Sequence, residues 1–168
     1  MDASYITPFI DSTRSVFSTM LQLPVKCGTP VAEQAIPAVD CDVSGIIGLS
    51  GDVMGTVLLC FPLEVAEKVV TKFVGMKVDT DSGDFADAIG ELVNMVSGGA
   101  KAKFTGKDVS ISCPSVVLGT AHRVGQMSDS VCIRIPCSSE CGDFAVEVSM
   151  RPGSTPSDST ETSASASA

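Results

Sequence analysis

Asp87, Glu91, Asn94 and Gly98 recur at i, i+4, i+7 and i+11, so a helix running through them stacks all four in one stripe. On the same wheel Phe85, Ile89, Leu92, Val93, Val96 and Ala100 fill an apolar arc nearly opposite. That arc faces a core, and Glu91 and Asn94 project outward side by side. A carboxylate only accepts hydrogen bonds, whereas a carboxamide donates and accepts at once, so the pair could engage polar groups on a docked partner. Ala88, Gly90, Ser97, Gly98 and Gly99 are small and leave room for a partner to come close. Asn94 is the only asparagine in the chain, and it sits in a helix interior, where its intrinsic preference is mediocre. The spacing by itself also fits a plainer alternative, the solvated face of an amphipathic helix.

Other chemistry is weaker. Cys137 and Cys141, with Cys132 and His122 nearby, lack the tight paired spacing and convincing fourth ligand of a structural zinc site. His122, read here in a short strand and followed by Arg123, is a surface imidazole with no nucleophile to activate. Gly98-Gly99-Ala100-Lys101 falls within or at the end of a helix, whereas a phosphate loop lies between a strand and a helix, so nucleotide binding is not expected.

The elements that must position the stripe follow from periodicity. Pro8 to Leu21 carries Phe9, Val16, Phe17 and Met20 at helical spacing, with Pro8 near the start and Pro24 after the end. Prolines then deny a helix from Gly28 to Val39, which reads as a connection or an edge strand. Val43 to Leu49 and Val53 to Phe61 are β-rich runs around the turn Ser50-Gly51-Asp52, a hairpin. Leu63 to Val74 forms a second helix stopped by Gly75. The helix of interest is expected from a cap at Asp84 to about Phe104, with a kink at Gly98-Gly99. Four short strands follow, over Val109 to Val117, Ala121 to Gln126, Ser130 to Pro136 and Asp143 to Met150. This order predicts an α+β fold with helices packed on a mostly antiparallel sheet.

The 168 residues suit one domain, and 44% apolar content against 18% charged supplies a sizeable core. From Pro152 onward six Ser and three Thr leave almost nothing to bury. The folded domain is therefore assigned to residues 1–151 and a disordered tail to 152–168. Eleven Lys and Arg against twenty Asp and Glu give a net charge of −9, which argues against nucleic acid as a partner. No apolar run approaches the length of a membrane span, and Asp2 stands where a secretory signal would carry positive charge. The seven cysteines are scattered and lie mostly in Val- and Ile-rich runs; they read as reduced thiols of a cytoplasmic protein.

The spacing Asp87-x3-Glu91-x2-Asn94, with Pro114 nineteen intervening residues later, resembles the signature of the CheC, CheX and FliY family of chemotaxis phosphatases, the CheX branch above all. The opening Ile6-Thr7-Pro8-Phe9-Ile10 and the hairpin Gly48-Leu49-Ser50-Gly51-Asp52-Val53-Met54-Gly55 are similar to that branch too, and the resemblance spans roughly residues 5 to 150. It implies hydrolysis of the aspartyl phosphate on a CheY-type receiver domain. Asn94 would orient the attacking water and Glu91 would pair with the receiver's active-site lysine. Asp87 and Pro114 would only orient the helix. The phosphatase would need no cofactor of its own, because the receiver brings Mg²⁺. A homodimer joined through sheet edges is implied as well. One copy of the motif is visible, since the first helix offers only Asp11 and Arg14. A non-enzymatic module that docks on a receiver or flagellar switch component is the rival reading.

Overall fold

The computed structural model describes residues 3–32, 41–122, 124 and 130–153. Helix α1 (Ala3–Leu21) leads into two short bridges, β1 (Lys26–Cys27) and β2 (Val31–Ala32). Then come β3 (Val43–Gly51), β4 (Val53–Phe61), α2 (Leu63–Val74) and α3 (Gly83–Lys101). Strands β5 (Val109–Ile111), β6 (Ser115–Leu118), β7 (Val131–Ser139) and β8 (Gly142–Pro152) complete the chain. All strand pairs are antiparallel, in the order β1-β7-β8-β4-β3-β5, with β2 also on β7 and β6 also on β3. The α+β architecture is as expected.

The three helices bury one continuous core against one face of this sheet. Phe144 of β8 stacks with Phe17 of α1, 5.0 Å between centroids, and with Phe61 of β4 at 5.1 Å. Helix α3 contributes Phe85, Ile89, Leu92, Val93 and Val96, all fully buried, each stabilising by about 1.5–3 kcal/mol. The arc drawn from the sequence is therefore the buried one.

Hairpin β3–β4 and helix α2 match the sequence reading. Gly51 takes φ 103° at the turn, and Gly75 closes α2 at φ 85° with its N–H on Thr71 O. Four other expectations are corrected. Helix α1 starts at Ala3, so Pro8 lies inside it and removes one helical donor. The cap of α3 is Ser82, whose Oγ accepts from Phe85 N–H at 3.3 Å, and the helix runs through Gly98-Gly99 to Lys101. The run Val109 to Val117 is split into β5 and β6 around Pro114, which cannot donate to a ladder. Thr120 and Ala121 form a turn, with Ala121 at φ 48° and its N–H held by Asp42 Oδ1 at 3.0 Å, and His122 follows it outside any strand; the rest of that expected strand falls largely outside the described residues. The expected tail also lies outside them beyond residue 153.

The cysteines need a further correction. Cys41, just before β3, and Cys60, near the end of β4, are joined as a disulfide with Cα atoms 5.4 Å apart. The hairpin brings its two open ends together, a proximity that scattered sequence positions conceal. Cys27, Cys113, Cys137 and Cys141 are free thiols.

The sheet's second face is also covered in the middle. Ala145, Glu147 and Ser149 of β8 are buried there, and Glu147 meets Arg134, directly opposite in register on β7, at 2.5 Å. Breaking such a buried pair strands one charge. Glu147→Leu alone is expected to destabilise by about 3–5 kcal/mol, and Arg134→Met with Glu147→Leu to recover most of that loss, measured by urea unfolding.

Candidate functional site

Three missing side chains fix the position of α3. Beneath it, a Cβ on Gly45 of β3 would come within 3.0 Å of Val93 Cγ1 and 3.2 Å of Ile89 Cγ2, so the helix lies directly on bare backbone. Against α1, a Cβ on Gly99 would collide with Ser12 Oγ. That hydroxyl instead donates to Val96 O at 2.7 Å and ties the two helices. Along its outer flank, Pro114 packs over Gly90, where a Cβ would meet the ring at 3.4 Å.

The segment carrying Pro114 is itself anchored. Ser112 exchanges hydrogen bonds with Gly48 of β3, accepting its N–H at Oγ (2.9 Å) and donating its own N–H to Gly48 O (2.9 Å). Beyond β6, Gly119 N–H bonds Asp42 O at 2.9 Å. The Asp42 carboxylate accepts from Ala121 and, at 3.1 Å, from Leu63 at the start of α2. These two backbone donors hold its carboxyl below the usual aspartate range.

The outward stripe is what the helix leaves uncovered. Asp87 and Glu91 are exposed, while Asn94 and Gly98 are half-buried. Glu91 and Asn94, at i and i+3, hold Cβ atoms roughly 5–6 Å apart on one face. Among the described residues no side chain or backbone group engages the Glu91 carboxylate or the Asn94 carboxamide. Grooves of about 510 Å³, beside α2, and about 360 Å³, beside β1, lie elsewhere and include no residue of the stripe. The pair stands on the outward face of α3, open to an approaching macromolecule. Pro114 borders it without bearing a polar group.

The other sequence candidates are dispersed or already engaged. Asp11 pairs with Lys103 at 3.1 Å and Arg14 reaches Cys27 O at 3.5 Å, so neither forms a second stripe on α1. His122 bonds Ser44 Oγ at 2.7 Å and Gly119 O at 2.8 Å. Cys132 and Cys137 belong to β7 and Cys141 to the following turn; among the described residues no three His, Cys, Asp or Glu side chains gather to hold a metal. The sequence reading missed Gly45, Gly90 and Ser112 as the groups that seat the helix and its proline. A glycine in a helix interior costs roughly 0.5–1 kcal/mol against alanine, and Gly90 carried that signal.

Residues 43–138 match the family model for the chemotaxis phosphatase CheX. The chain belongs to the CheX family. It is 32% identical over 158 residues to the CheY-P phosphatase CheX of Thermotoga maritima, covering 91% of this chain and 99% of that one. A solved CheC-like superfamily protein from Shewanella sp. PV-4 is 32% identical, with TM-score 0.81, 90% of this chain and 99% of that one covered. The CheX–CheY–BeF3–Mg²⁺ complex from Borrelia burgdorferi shares the fold at 24% identity and TM-score 0.74, covering 88% and 97%.

Because Glu91 and Asn94 have no hydrogen-bond partners among the described residues, removing them costs the fold little. Glu91→Ala and Asn94→Ala are each expected to unfold in urea within about 0.5 kcal/mol of the parent, or slightly later, since alanine is the better helix former.

Proposed function

We propose that this protein hydrolyses the aspartyl phosphate of a CheY-type receiver, with Asn94 holding the attacking water and Glu91 docking on the receiver's active-site lysine. The observation that carries this reading is the Glu91–Asn94 pair on the outward face of α3, without partners among the described residues, in a chain of the CheX family. The relative from Thermotoga maritima carries the same activity in its name.

The chemistry asks little of the phosphatase. An acyl phosphate is already activated, so what must be supplied is an in-line water and a neutralised phosphoryl group. The Asn94 carboxamide oxygen accepts a hydrogen bond from the water, and its NH₂ donates to a neighbouring oxygen, which fixes the water's direction of attack. The water oxygen bonds to phosphorus, the bond from phosphorus to the aspartyl oxygen breaks, and the water's proton leaves with the phosphate. Mg²⁺ and lysine belong to the receiver. Glu91 meets that lysine in a charge-assisted contact, which registers α3 over the phosphoryl group.

Asp87 and Pro114 keep an orienting role. The activity is assigned to residues 1–151, with none assigned to 152–168. The working form is a homodimer joined through sheet edges. The reading places the protein in the cytoplasm; among the described residues no helix is long and apolar enough to cross a membrane.

Phosphate release from a phosphorylated, Mg²⁺-loaded CheY-type receiver tests the assignment. The parent chain is expected to accelerate release, and Asn94→Ala to slow the catalysed rate by about 10²-fold or more at unchanged receiver affinity. Glu91→Ala is expected to weaken receiver binding as well. Binding without acceleration by the parent would replace the phosphatase with a docking module.

A further inference from the structure

Cys27 and Cys137 lie at the sheet edge opposite β5, away from the α3 stripe. In register, Cys27 of β1 sits directly across from Cys137 of β7. The adjoining Gly28 N–H bonds Pro136 O at 2.8 Å, which makes Cys27 and Cys137 a non-hydrogen-bonded cross-strand pair, the kind whose facing side chains come closest. Their Sγ atoms are 3.7 Å apart, with the Cys137 thiol donating to the Cys27 sulfur.

The two thiols are unlike in every respect that governs reactivity. Cys137 is buried, whereas Cys27 is half-buried and shares a groove of about 360 Å³ with Lys26, Gly28, Pro136 and Cys137. The hydrogen bond from Cys137 and the nearby Arg14 guanidinium lower the Cys27 thiol from 9.0 to about 7, against the opposing effects of burial and Asp11. The same bond to Cys27, with burial, pushes Cys137 up. A half-buried thiolate beside a protonated partner thiol is the arrangement of a two-cysteine redox site.

We propose that Cys27 and Cys137 form a hydroperoxide-responsive thiol pair, in which Cys27 attacks the oxidant and Cys137 resolves the product into a cross-strand disulfide. In the first step the Cys27 thiolate sulfur bonds to one peroxide oxygen, the O–O bond breaks, and the other oxygen departs as alcohol or water after taking a proton. Cys27 is then a sulfenic acid, oxidised by two electrons as the peroxide is reduced. In the second step Cys137 gives up its proton and its sulfur bonds to Cys27; the S–O bond breaks and hydroxide leaves with that proton as water. Closing from 3.7 Å to a bond of about 2.05 Å needs a side-chain rotation, because facing cross-strand Cα atoms already stand within disulfide range. Any dithiol reductant reverses the bridge by exchange.

The experiment exposes the full chain to one equivalent of hydrogen peroxide at pH 7, alkylates the remaining thiols and maps the peptides by mass spectrometry. Cys113, an exposed free thiol, is the internal comparison. Against a thiol at 9.0, a pKa near 7 gives Cys27 about fiftyfold more thiolate, offset about eightfold by lower nucleophilicity, so it is expected to oxidise about sixfold faster than the exposed Cys113. Its peptide is expected to appear joined to that of Cys137. In Cys137→Ser the bridge is expected to vanish and a sulfenic acid at Cys27 to be captured by dimedone. The proposal is overturned if the parent chain forms no Cys27–Cys137 bridge at a peroxide dose that oxidises Cys113, or if Cys27 reacts no faster than Cys113.

Discussion

The close approach of α3 to its surroundings is the constraint on which the rest of the structure depends. A helix axis ordinarily stays well clear of a sheet because side chains stand between them. Here Gly45 removes the spacer below, Gly99 removes it toward α1, and Gly90 removes it beneath Pro114. Each absence lets one neighbour press on the helix from a different direction. The apolar arc from Phe85 to Val96 then fills the space that remains, and only the Asp87–Glu91–Asn94 face is left uncovered.

That geometry leaves the Glu91–Asn94 face open to a partner. The outward face carries two polar groups without partners among the described residues, and in the proposed function the receiver brings the metal and the phosphoryl group to it. The helix supplies direction. Rigid seating is what the proposed function requires of α3, because a water held a fraction of an ångström off line would lose most of its advantage. The anchored segment through Ser112 and the Asp42 hydrogen bonds serve that rigidity from outside the contact.

Much of this was legible in the chain itself. The β3–β4 hairpin and α2 carry local signals that agree with their tertiary setting: alternating or branched apolar runs, a Gly-Asp turn, and a glycine that ends the helix. The Glu91–Asn94 pair was legible because the helical repeat fixes what shares a face. What stayed hidden depends on distant partners. The left-handed turn at Ala121 exists because Asp42 holds its N–H, seventy-nine positions away, and nothing between residues 119 and 122 announces it. Ser82 outcompetes Asp84 as the cap by geometry that one-dimensional preference does not rank. The Cys41–Cys60 linkage likewise depends on how the hairpin's ends meet.

The buried Arg134–Glu147 pair has an effect on strand alignment. Arg134 and Glu147 lie opposite one another on the sheet face away from the helices, while Phe144, Val146 and Val148 alternate onto the other. Sliding β7 by one residue against β8 would turn its charged and apolar side chains to the wrong faces and leave Glu147 alone in the interior. An apolar pair at this place would tolerate that slip far better. The ion pair thus works as a register lock, penalising misaligned sheets more than it strengthens the correct one, and it keeps the strand that carries Cys137 in phase with the core.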